Sequence, residues 1–173
     1  MTPMHRRITL GLLSLLNLSL AASLLAALPA AANAPALPYD ESANAQQDVQ
    51  RALDSAAKTN RPVLVVFGAN WCGDCRALDL ALKAPTNAAL MDKEFVVVKV
   101  DVGKFDRNLD VVERTGVTIK KGIPAAAVLS PQGKLLYATQ GGELANARKM
   151  SETGVHDFFA QVVATAKGNR PAP

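Results

Sequence analysis

Val63-Leu64-Val65-Val66-Phe67-Gly68-Ala69-Asn70-Trp71-Cys72-Gly73-Asp74-Cys75 is the stretch on which the reading of this chain turns. Its first five residues are apolar without alternation and follow Pro62, as in a strand covered on both faces of an α/β sheet. Gly68-Ala69-Asn70 ends the run. From Cys72 to about Lys83 the apolar positions take up helical spacing, at Cys75, Leu78 and Leu82. The only two cysteines of the chain thus stand where a strand gives way to a helix. At i and i+3 on one helical turn their backbones lie roughly 5–6 Å apart, inside the window for a disulfide. Cys72 falls at the helix N-terminus, where unpaired amides and the helix dipole favour a thiolate. Cys75 sits one turn inside and is better buried. One sulfur is placed to attack, its neighbour to resolve a mixed disulfide.

Other uses of the pair fit less well. Zinc takes four ligands, and beyond residue 32 the sole histidine is His156. Haem attachment needs a histidine directly after the second cysteine, where Arg76 stands. Copper-chaperone loops open on methionine, and here Trp71 precedes the pair. A purely structural disulfide closing so short a loop stabilises by about 2 kcal/mol or less. A reversible dithiol/disulfide is the reading that remains, with no metal and no cofactor beyond Cys72–Cys75 itself.

Outward from the pair, the pattern alternates between helices and strands. Asp40 or Ser42 caps a first helix to about Lys58, with Val49, Leu53, Ala56 and Ala57 on one face. Pro85 interrupts the helix after Cys72, and Asn87–Asp92 reads as a further helical turn or two. Phe95–Asp101 is a second buried strand, and Asp106–Arg114 a short helix closed by Gly116. Ala125–Leu129 and Leu135–Thr139 are strands joined by the turn Ser130-Pro131-Gln132-Gly133-Lys134. Glu143–Met150 reads as helical. Val155–Lys167 is a final amphipathic helix with Val155, Phe158, Phe159, Val162 and Val163 inward. This order describes an α/β fold, a central mixed sheet with helices on both faces and an extra N-terminal helix.

With 173 residues, 49% apolar and 20% charged, the chain holds one globular domain and is no disordered tail. The first 32 residues have the layout of a signal peptide. His5-Arg6-Arg7 is basic, Ile8–Leu28 is uncharged, and the small residues Ala30–Ala32 follow Pro29. An uncleaved membrane anchor is the alternative. Residues 33–40 read as a linker, 41–168 as the folded domain and 169–173 as a tail without packing signal. Either fate of residues 1–32 puts the folded part outside the cytoplasm, the periplasm if the source is bacterial, where disulfides form. The net charge of +4 falls to +2 once Arg6 and Arg7 are removed, too little to imply nucleic acid as a partner.

The strand leading into Trp71-Cys72-Gly73-Asp74-Cys75, together with Lys99-Val100-Asp101 and Gly122-Ile123-Pro124, resembles thioredoxin. The similarity runs from about Val63 to Thr139 and takes in the last helix. It implies a thioredoxin fold and thiol–disulfide exchange with protein substrates. Cys72 and Cys75 would be the catalytic pair, with Trp71, Ile123 and Pro124 shaping the docking surface and Gly73 and Asp74 supporting it between the cysteines. It also implies a cis Pro124 against the pair, whose preceding residue Ile123 binds the substrate chain by its backbone. The departures point to what is particular here. Val66 stands where the family buries an aspartate that helps deprotonate the second thiol, leaving Asp74 or water to substitute. Lys99 matches the lysine that accompanies that aspartate, and Gly68 replaces an aromatic, leaving room above the sulfurs. Asp74 replaces a proline and opposes a Cys72 thiolate, which favours a reducing couple; Lys120 and Lys121 oppose this if their loop covers the site. The expected activity is reduction of exported protein disulfides by a monomer recharged by a membrane electron donor. The alternatives are an oxidase or isomerase, or a non-catalytic binding module of the same fold.

Overall fold

The computed structural model describes residues 36–169. The signal-peptide reading of residues 1–32 and the last four residues lie outside that range. Helix α1 (Ala45–Thr59) precedes strand β1 (Val63–Gly68), then helices α2 (Gly73–Lys83) and α3 (Pro85–Glu94). Strand β2 (Val96–Asp101), helix α4 (Leu109–Arg114), strands β3 (Ala125–Leu129) and β4 (Leu135–Ala138) and helix α5 (Glu152–Gly168) follow. The four strands form one sheet in the order β2-β1-β3-β4. β1 runs parallel to β2 and antiparallel to β3, which pairs antiparallel with β4.

β1 is central, and all six of its residues are buried, because its alternate side chains enter two different cores. Val63, Val65 and Phe67 pack with Ala52 and Ala56 of α1 and Val111 and Val112 of α4. Leu64 and Val66 pack with Leu78 and Leu82 of α2, Met91 of α3 and Phe159 and Val162 of α5. A continuous apolar run is what two covered faces require. β2 departs from the expected buried strand: it lies at the sheet edge, only its last two residues are buried, and Val97 is 39% exposed.

Local chemistry accounts for the shifted boundaries. Asn44, rather than Asp40 or Ser42, caps α1 by accepting from the Gln47 amide at 3.1 Å. Asp40 instead closes a turn on the Ser42 amide and hydroxyl, at 2.8 and 2.6 Å. Tyr39, assigned to the linker, is buried, so the folded body starts earlier than expected. Asp106 lies in the loop before α4 and accepts from the Lys104 amide, while Asn108 holds the N-cap position with φ 52°. Residues 143–150 do not form the expected helix. Successive i to i+3 bonds (Ala145 to Gly142, Ala147 to Leu144, Lys149 to Asn146) make tight turns and a short 3-10 segment over Ala147–Lys149. Glu143 starts this path by accepting from the Gln140 and Gly141 amides at 3.2 and 3.0 Å. At the other end, Asn169 donates its side-chain amide to the Leu136 carbonyl at 2.9 Å, tying the end of α5 to β4.

Candidate active site at the junction of β1 and α2

The chain leaves β1 at Gly68, turns through Ala69–Trp71, and enters α2 with Cys72 as its N-cap (φ −76°, ψ 115°). Cys72 and Cys75 are joined as a disulfide, with Cα atoms 5.2 Å apart. The Cys75 amide donates to Cys72 Sγ at 3.1 Å, so the sulfur takes the place an oxygen fills in an ordinary helix cap. A negative sulfur at that position gains from the same amide and from the helix dipole. Cys72 retains 6% exposure and Cys75 none, so Cys72 is the more accessible sulfur.

The other wall comes from the start of β3. The Ile123–Pro124 peptide bond is cis, both residues are buried, and the Ile123 carbonyl oxygen lies 3.5 Å from Cys72 Sγ. Trp71 is 54% exposed, donates its indole N–H to the Gly103 carbonyl at 2.8 Å, and meets the Phe105 ring edge-on with centroids 6.0 Å apart. Phe105 also lines a groove of about 710 Å³, with Leu109, Val112, Val117, Ile119 and Lys120. Gly122 also belongs to that lining, which brings the groove up to the Ile123–Pro124 turn. Sequence reasoning thus singled out Trp71, Cys72, Cys75, Ile123 and Pro124 from distant stretches, and they meet here. Lys120 reaches the groove; Lys121 packs its backbone against Gly142.

Asp74 has a partner that sequence did not reveal. Its carboxylate accepts from the Arg148 amide at 3.0 Å and pairs with the Arg148 guanidinium at 3.1 Å. Burial works to raise its pKa, but the Arg148 bonds and charge outweigh this and hold the carboxyl below its ordinary value. The Arg148 side chain also crosses Gly73, where a Cβ would come within 3.2 Å of it. The tight turns of residues 143–150 are what deliver Arg148 to this point, 74 residues along the chain.

Val66 is buried among apolar side chains, so β1 supplies no carboxylate beneath the site. A buried carboxylate appears instead on α2. Asp79, one turn beyond Cys75, pairs with Lys83 at 2.8 Å and with Lys99 of β2. Burial pushes its pKa up, but the two ammonium groups win and keep it below the ordinary range. Lys99 therefore serves an ion pair rather than standing in solvent.

The room expected above Gly68 is filled by Tyr39. A Cβ at residue 68 would fall inside the Tyr39 phenol and 3.0 Å from Cys75 Sγ. Asn70 fastens Tyr39 there, accepting from its amide at 3.0 Å and donating to its carbonyl at 2.8 Å. The signal available in sequence was weak: one aromatic residue beside a proline, ahead of the first helix. Among the described residues no group of three or more His, Cys, Asp and Glu is placed to hold a metal ion.

Comparison with known proteins agrees with this geometry. Residues 44–131 match the model of a thioredoxin-like family. Thioredoxins of Mycobacterium bovis and Mycobacterium tuberculosis are 32% identical over 78 residues, 44% of this chain and 67% of theirs. A crystal structure described as a disulphide isomerase from Xylella fastidiosa is 55% identical, with a TM-score of 0.73, covering 75% of this chain and 98% of that one. A structure described as DsbH oxidoreductase, at 18% identity and TM-score 0.50, covers 68% and 81% and shares the fold. With the matching family model, the 55% identical neighbour and the Cys72–Cys75 pair together, the chain belongs to the thioredoxin-like family and is a thiol–disulfide oxidoreductase.

Proposed function

We propose that this protein is an exported, monomeric oxidoreductase that works from its dithiol form to reduce disulfides in other proteins. Residues 1–32 direct export and residues 39–169 form the catalytic domain. The Cys72 thiolate attacks a substrate disulfide R–S–S–R′, forming Cys72–S–S–R and releasing R′–S⁻. Cys75 then attacks the Cys72 sulfur, closing Cys72–Cys75 and releasing R–S⁻. The two protons given up by the enzyme thiols balance those taken by the leaving thiolates. Two electrons pass to the substrate, and a membrane dithiol donor restores the reduced pair. The substrate backbone lies along Ile123-Pro124 as an added strand, with a neighbouring apolar side chain in the groove beside Phe105.

The observation that carries this reading is the contrast at the junction, Cys72 slightly open and beside the Ile123 carbonyl, Cys75 closed. Support for the reducing direction comes from Asp74, a carboxylate in the first turn of α2 whose opposition to a Cys72 thiolate Arg148 reduces. It leaves the Cys72 thiolate with little beyond the helix N-terminus to stabilise it, and a weakly stabilised thiolate belongs to a couple away from the oxidant end. Export rests on the basic, apolar and small-residue layout of residues 5–32. A second reading, isomerisation, is favoured by the description of the 55% identical Xylella protein. It begins with the same Cys72 attack but ends with the substrate's own thiol displacing Cys72.

Equilibration of the Cys72–Cys75 pair with glutathione tests the direction. A potential well below the oxidant end near about −120 mV supports reduction; one at that end overturns the reducing direction. Parallel assays on a peptide disulfide and on a protein with scrambled disulfides separate the two. Loss of both activities in Cys75→Ser marks a reductase, whereas rearrangement that persists without Cys75 marks an isomerase.

A further inference from the structure

We propose that the Tyr39 hydroxyl donates a hydrogen bond to the Cys75 sulfur and holds it as a thiolate in the step that displaces substrate from Cys72. This deepens the exchange reaction proposed above and rests on it. In that step the Cys75 proton has passed to solvent. The Cys75–Cys72 bond forms as the Cys72–substrate bond breaks, the substrate sulfur leaves with the electron pair and is protonated by water, and Tyr39 keeps its own proton.

The step needs such a donor. Cys75 is fully buried, and an apolar enclosure disfavours a thiolate. Val66 supplies no base from β1. The charged groups that act on the phenol are Asp79 of α2 and Asp101 of β2. Lys99 and Lys83 are engaged with Asp79, and Arg107, Glu41 and Asp106 act on Asp101. Both groups that act on the phenol are carboxylates, and they oppose a further negative charge there.

Tyr39 fits the need in position, anchoring and protonation. The phenol oxygen and Cys75 Sγ both lie within 3.0 Å of the one point that a Cβ of residue 68 would occupy, so Gly68 puts no side chain there. Asn70, two residues before Cys72, grips both backbone polar groups of Tyr39. The donor is thereby tied to the loop that carries the reacting pair. Burial first, then the charges of Asp79 and Asp101, push the phenol's ionisation well above its ordinary 10.0. Across the working range it remains an O–H donor and is not a base.

The test titrates Cys75 alone, in Cys72→Ser protein, by thiolate absorbance and by alkylation rate against pH. Tyr39→Phe removes one oxygen and keeps the ring, and thermal unfolding checks that the fold is intact. The expected result is an upward shift of the Cys75 midpoint by about one pH unit, since a hydrogen bond to a charged group is a tenfold effect or more. Asp79→Asn and Asp101→Asn shift it the other way. With Cys72 present, Tyr39→Phe slows resolution of a preformed mixed disulfide about tenfold below the midpoint and leaves Cys72 alkylation unchanged. A midpoint that stays put or falls in Tyr39→Phe overturns the proposal. Because the titration needs no substrate, it stands apart from the exchange reading. Normal wild-type turnover with an unmoved midpoint sinks the Tyr39 role alone. No wild-type turnover sinks the exchange reading, and the catalytic use of Tyr39 with it.

Discussion

Arg148 is the residue with the clearest electrostatic consequence for the first sulfur. Asp74 is in the first turn of α2, directly beside Cys72, and its negative charge is offset by the guanidinium 3.1 Å away. Arg148→Ala leaves that charge unopposed, so the Cys72 thiolate is less favoured. The expected outcome is a Cys72 pKa higher by a few tenths to about one unit and a more negative reduction potential, diminishing as salt is added. Thiolate absorbance and glutathione equilibration read both; a potential that moves the other way contradicts the pairing. Gly68 makes a steric prediction. Gly68→Ala places a methyl inside the Tyr39 phenol and costs about 1–3 kcal/mol by denaturant unfolding. In the Tyr39→Ala background the same change costs markedly less, because the two share one volume. Additive losses would mean that the phenol does not sit over residue 68. Cys72 and Cys75 were legible in sequence because their meaning lies in spacing and near neighbours, and Trp71 and Pro124 through the resemblance to thioredoxin. Tyr39 and Arg148 were not, since each acts through a contact 31 or more residues away.

Among the elements, α2 is held to the edge strand β2 by Asp79 through Lys99, and to the central β1 by Leu78 and Leu82. Its folded carboxyl lies below the ordinary 3.8 because Lys83 and Lys99 outweigh burial. A depressed acid contributes stability that is complete above its unfolded pKa and is lost as pH falls through the lower folded value. Asp79→Asn is therefore expected to be less stable than wild type at neutral pH, with the gap narrowing below pH 3.8. Urea unfolding across acid pH measures it, and a gap independent of pH contradicts the ion pair as its source. The segment before α1 behaves as a strap. Asn70→Ala strands the Tyr39 amide and carbonyl in a buried place, an expected loss of about 2–4 kcal/mol. Strands and long helices were readable from periodicity, as β1, α2 and α5 illustrate. The edge position of β2 was not, because an apolar run does not say how many neighbours a strand has. The turns at 143–150 were missed for a related reason. Their composition suits a helix, but Glu143 caps backbone amides just ahead of it and Gly142 takes φ 80°, which sends the chain back across α2.

At the scale of the molecule, three separate segments meet over one helix end: the loop after β1, the turn before β3, and the loop after β2 that carries Phe105 against Trp71. Their convergence places a sulfur with limited access beside a backbone edge and an apolar groove. The same sheet seals its partner sulfur in a core with Val65, Phe67 and Tyr39. The asymmetry between the two cysteines is thus a property of the whole fold rather than of the four-residue motif. It requires that Cys72 alone receive the substrate. The most direct measurement mixes reduced protein with a peptide disulfide and locates the adduct by intact mass and peptide mapping. Cys75→Ser is expected to accumulate a stable mixed disulfide at Cys72, wild type to pass through it to Cys72–Cys75 with release of reduced peptide, and Cys72→Ser to react far more slowly. Equal labelling of Cys72 and Cys75 in the single variants, or no adduct in Cys75→Ser, would contradict the account.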